Sequence, residues 1–104
     1  MKRMVLTIAA ALLATTANAG KVHETCASLS TLAETVAENR YAGVSMRDSM
    51  GVVETNNEQA RQMIRAIIQD AYGLPDYSGD EYQRRAVVEF GNDVYSECLD
   101  SFKR

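Results

Sequence analysis

The chain carries two cysteines, Cys26 and Cys98, which stand near the two ends of everything that follows its apolar N-terminal run. In an oxidising compartment, an even number of cysteines with no accompanying metal-ligand set favours a disulfide. One pair allows one connectivity. The bond would tie the ends of the folded region together and close a loop over residues 27–97. Chain-entropy arithmetic assigns such a cross-link about 4 kcal/mol of stabilisation, a large share for so small a domain. A redox-active pair is the weaker reading, because no Cys-x-x-Cys spacing is present to lower a thiol pKa. An intermolecular bond is the other alternative.

The compartment is read from residues 1–19. Lys2 and Arg3 give a positive start, Met4 to Ala14 is apolar except for Thr7, and Ala17-Asn18-Ala19 is a small-x-small cleavage site. These are the three parts of a cleaved secretory signal peptide. A membrane span needs about 20 apolar residues, more than this run supplies. A lipoprotein anchor would need a cysteine at the cut, whereas Cys26 lies beyond polar His23, Glu24 and Thr25. The expected location is periplasmic or secreted, with no stable membrane insertion after cleavage. The mature chain, residues 20–104, is a single domain of 85 residues. Loss of Lys2 and Arg3 takes its net charge from −3 to −5. That acidity, without a basic stripe, argues against nucleic acid or anionic lipid as a partner.

Within the mature chain apolar residues recur at helical spacing, and the pattern predicts an all-α, compact four-helix domain. The first helix is expected from about Val22 to Ala42, with Cys26, Leu29, Leu32, Ala33, Val36 and Ala37 on one stripe and Gly43 ending it in the left-handed conformation. A short second helix, about Met46 to Glu54, begins at a Ser45/Asp48 capping signature and is weakened by Gly51. The third, Glu58 to Tyr72, has the clearest amphipathic pattern: Ala60, Met63, Ile64, Ile67, Ile68 and Ala71, an asparagine cap at 56 or 57, and Gly73 and Pro75 at its end. The fourth, about Gly79 to Ser101, follows a Ser78/Glu81 capping signature and places Tyr82, Ala86, Phe90, Val94 and Cys98 at successive i+4 positions. Gly91 falls inside it and marks a kink or a close helix crossing. The expected core is Leu29, Leu32, Val36, Ile64, Ile67, Ile68, Phe90 and Val94.

No catalytic constellation stands out. His23 is the lone histidine and cannot make a triad or a zinc site by itself. Residues 43–47 lack the final glycine of a nucleophile elbow. Asp76, Asp80 and Glu81 depart from calcium-loop spacing and suit a solvated turn before a helix N-terminus. The expectation is a non-enzymatic chain with no cofactor and no metal. The most suggestive feature is aromatic: Tyr72, Tyr77 and Tyr82 bracket a connector that contains Pro75. Tyrosine is enriched at interfaces because its ring is apolar and its hydroxyl is wet. Tyr72, Pro75, Tyr77 and Tyr82 are therefore the candidate partner-binding residues. The competing expectation is that Tyr72 and Tyr82 pack beneath the turn, leaving Tyr77 the most exposed.

Cys26-x-x-Leu29, Ala33 with Arg40 and Gly43, Met50, Ile68-x-x-Ala71-Tyr72-x-x-Pro75, and then Phe90, Asn92, Tyr95 and Cys98 together form a pattern over nearly all of the mature chain. It resembles small uncharacterised signal-peptide-bearing periplasmic proteins of proteobacteria and their phages or prophages. The resemblance implies an envelope location and points to phage or prophage as a source; it implies no activity. The leading functional expectation is a protein-binding module whose partner is another envelope protein. The runner-up is a periplasmic acid-stress (holdase) chaperone, since chaperones of that kind are small, helical and held by a single disulfide. Fourteen carboxylates neutralising in acid could loosen such a fold.

Overall fold

The computed structural model describes residues 19–53 and 55–103. All but the last residue of the expected signal peptide, residues 1–18, lies outside them. Four helices follow in order: α1 (Ala19–Tyr41), α2 (Met46–Gly51), α3 (Glu58–Tyr72) and α4 (Asp80–Phe102). The expected all-α, disulfide-stapled architecture is what forms, and there is no strand among the described residues.

The ends of the helices follow local chemistry. α1 closes in a Schellman turn: Gly43 sits at φ 92°, the Val44 N–H donates to the Asn39 carbonyl (2.9 Å) and the Gly43 N–H to the Arg40 carbonyl (3.2 Å). The Ser45 hydroxyl caps α2 by accepting from the Asp48 N–H at 3.0 Å, and Asn57 caps α3 by accepting from the Ala60 N–H at 3.0 Å. α2 is shorter than the expected 46–54. Past Gly51 its turn tightens into i→i−3 bonds at Val52 and Val53, which this glycine-weakened segment cannot extend.

One expectation about a cap is corrected. Ser78 does not cap α4. Gly79 takes the cap position with φ 103° and no side-chain bond, moving the helix start one residue beyond the register in which Ser78 could pair with Glu81. Asp80 and Glu81 still place negative charge on the first turn. Gly73 ends α3 as expected, in the right-handed region at φ −91°. Its N–H and that of Leu74 form i→i−3 bonds to Asp70 and Ala71, a tightening that carries the Leu74 side chain inward, where it is buried.

The two long helices form the main packing unit and run antiparallel, with α3 lying against α1 and α2. The antiparallel register is fixed at several levels. His23 meets Tyr95, Cys26 bonds Cys98 with Cα atoms 5.5 Å apart, and the Ser30 hydroxyl donates to the Gly91 carbonyl at 2.9 Å. Gly91 is where the helices cross. A Cβ there would lie 2.6 Å from Cγ of Glu34, and α4 continues unbroken through it.

The core is built from Cys26, Ala33, Val36 and Ala37 of α1, Met63, Ile67, Ile68 and Ala71 of α3, and Val87, Phe90, Val94 and Cys98 of α4. Five of the expected core residues are fully interior. Leu29, Leu32 and Ile64 are only partly buried, packing against the cluster from its edge. The interior of α1 is made instead by alanines and the half-cystine, which let its neighbours approach closely.

Candidate functional site

The segment between α3 and α4 crosses the end of the domain away from the disulfide, and its placement is dictated by long-range contacts. Leu74 is buried and anchors its start. From the last turn of α1, Nη2 of Arg40 donates to the Leu74 carbonyl at 2.7 Å and the Tyr41 hydroxyl donates to the Pro75 carbonyl at 2.7 Å. Arg40 also lies 3.9 Å from the carboxylate of Asp76 and 5.3 Å from the centroid of the Tyr41 ring. Its Nε is buried without a hydrogen-bond partner, so the guanidinium is held by its outer nitrogens alone. Within the connector the Tyr77 N–H donates to the Pro75 carbonyl at 3.0 Å. On the far side Nε2 of Gln83 donates to the Tyr77 carbonyl at 2.8 Å.

Burial raises the Tyr41 pKa above its ordinary value of 10.0, with the nearby Tyr77 and Asp76 acting in the same direction and Arg40 opposing. The phenol therefore keeps its proton, and remains a donor to Pro75, throughout the neutral range.

The four candidate residues divide. Tyr77 is 41% and Tyr82 59% exposed, so both rings are open to solvent; the expectation that Tyr82 packs under the turn is corrected, because it lies on the outward face of the first turn of α4. Pro75 is exposed and contributes its carbonyl to the Tyr41 contact. Tyr72 turns the other way, toward α2. Its hydroxyl donates to the Val44 carbonyl at 2.6 Å, with the Ser45 carbonyl further off at 3.3 Å. A phenol has one proton to give, so the Ser49 hydroxyl, 2.9 Å away, is the donor in the Ser49–Tyr72 bond. Ser49 is buried, and this pair is what holds α2 on α3. Tyr72 is thus a structural residue.

Sequence reasoning missed Arg40 and Tyr41 as parts of this edge. They lie 34 positions from their partners, and no local pattern marks a contact of that range. It also missed that the exposed His23 shares a hydrogen bond of 2.9 Å between Nδ1 and the Tyr95 hydroxyl. The basic residues sit on mixed faces. Arg61 pairs with Glu58 and donates to the Thr55 carbonyl at 2.8 Å, and Arg85 lies 3.8 Å from Glu81.

Among the described residues no group of three or more His, Cys, Asp or Glu side chains could hold a metal ion, and no helix is long and apolar enough to cross a membrane. No family model, curated protein or solved structure matches the chain.

Proposed function

We propose that this chain is an exported, non-enzymatic protein-binding module of the bacterial envelope, with another envelope protein as its partner. One observation carries the reading: Tyr77 and Tyr82 stand open to solvent, 41% and 59% exposed, on and beside a connector whose backbone is tied to the body by Arg40, Tyr41 and Gln83. Aromatic side chains supply much contact area for few torsions, and they dominate the energetics of protein interfaces. A backbone that is already ordered loses less freedom when a partner arrives. The export signal and the envelope location rest on residues 1–19 of the sequence.

The test is cross-linking in the native envelope. The intact chain is compared with a Tyr77→Ala/Tyr82→Ala variant whose helical spectrum and melting temperature match it. The reading expects a protein captured by the first and lost with the second. Equal capture by both chains, or none by the intact one, would sink it.

A further inference from the structure

The connector has little to hold it by itself. Glycines stand at both of its ends, Gly73 and Gly79, the second at φ 103°, and within it the Tyr77 N–H to Pro75 carbonyl bond closes only a three-residue turn. Its order comes from outside. We propose that Arg40 and Tyr41 are positioning residues that latch the connector against the end of α1, so that Tyr77 is presented in one place before any partner arrives.

The contacts are specific to that role. Arg40 and Tyr41 donate to consecutive carbonyls, Leu74 and Pro75, both at 2.7 Å. The Arg40 contact is charge-assisted, the stronger class of hydrogen bond. The platform behind the two donors is itself fixed, because the Schellman turn at Gly43 closes the same helix end. Pro75 adds a locked φ, and the buried Leu74 side chain adds an apolar anchor on the same residue that Arg40 grips. Gln83 then secures the Tyr77 carbonyl from α4. Residues 74–77 are thereby bonded from α1 on one side and α4 on the other, with the Tyr77 ring left outside. The role in partner binding rests on the function proposed above; the latch itself does not.

The experiment uses chymotrypsin, which cuts after tyrosine in chain that can extend into its cleft. Residue 77 lies in the latched connector and residue 82 in α4, both exposed, so the second serves as an internal control. In an Arg40→Met/Tyr41→Phe variant, cutting after Tyr77 is expected to rise about fiftyfold, about tenfold for the charge-assisted bond and about fivefold for the phenol bond, while cutting after Tyr82 stays unchanged. Fragments remain joined through Cys26–Cys98 and are resolved after reduction. No change at Tyr77 overturns the latch, and so does a parallel rise at both tyrosines, which reports general loosening. Should the double variant not fold, Tyr41→Phe alone is expected to raise the Tyr77 rate about fivefold, and an unchanged rate overturns the proposal. With the partner captured above, the double variant is expected to bind more weakly, by up to the factor by which the latch opens. An unchanged affinity removes the positioning role even where Tyr77→Ala abolishes binding. Loss of the captured partner as a reproducible finding removes the binding reading and leaves the protease result standing.

Discussion

Replacing both half-cystines by alanine, Cys26→Ala/Cys98→Ala, tests the largest single contribution to this fold. The half-cystines are 72 positions apart. Closing a loop of that size removes about 15 cal/mol/K from the unfolded chain, or about 4.4 kcal/mol at 25 °C. A helical domain of this size, residues 19–103, has a net stability of about 4–13 kcal/mol. The cross-link is thus between a third and the whole of what is available. Both sulfurs are fully buried, so alanine also removes packed atoms from the core, and this adds to the loss. Serine would be the wrong choice, since it would bury two hydroxyls. The assay is urea unfolding followed by circular dichroism at 222 nm. The expected result is a midpoint lowered by about 4 kcal/mol divided by the slope, or no cooperative transition at all. A loss below about 1 kcal/mol would overturn this account, because it would mean that the unfolded chain is already compact around these ends. Burial also predicts the kinetics. Dithiothreitol without denaturant should reduce the bond only as fast as the domain opens, so the rate should level off with reductant concentration.

The other predictions are local. Tyr72→Phe removes the donor to Val44 and the acceptor for Ser49, and should cost about 1–3 kcal/mol with the main loss of amide protection in α2, read by hydrogen exchange. Gly91→Ala should destabilise, because its Cβ meets Glu34 at 2.6 Å; in a Glu34→Ala background the same change should stabilise by about 1 kcal/mol as helix propensity reasserts itself, and a cycle with no sign reversal would contradict the crossing geometry. The Tyr41 pKa is raised from 10.0 in the folded chain, so its contribution to stability is complete below that value and is lost as pH climbs through the folded value. Tyr41→Phe should flatten the fall in unfolding free energy as pH rises above about 10, relative to the parent chain.

Local chemistry made much of the fold legible. α3 was readable from end to end because an asparagine cap, a strong apolar stripe, Gly73 and Pro75 all agree on one segment. The Ser45 cap and the left-handed Gly43 were readable for the same reason: each is decided within four or five residues. Failure came where two local signals competed, or where the deciding contact was distant. At the start of α4 both Ser78 and Gly79 can serve as cap, and the positive φ that only glycine takes cheaply settled it. Leu29 and Leu32 look like core on a helical wheel, yet the packing of α4 and α3 centres on Ala33 and Ala37, because the closest faces of helices are lined by small residues. At the candidate site the exposed Tyr77 was legible from its place in the connector. The inward turn of Tyr72 and the grip of Arg40 and Tyr41 were not, since each depends on which helix ends meet.

The buried bond between Cys26 and Cys98 also decides how the chain carries tension. A pull applied through the segments outside the two half-cystines passes along short stretches of α1 and α4 and then across a covalent bond. Residues 27–97 lie off that path. Stretched out they would release about 250 Å of chain, but none of it can be drawn out while the bond is intact. A machine that grips one end to unfold the domain would therefore have to thread a closed loop, two strands abreast, or stall. The bond makes the oxidised chain a mechanical knot in effect, and the reduced chain an ordinary thread.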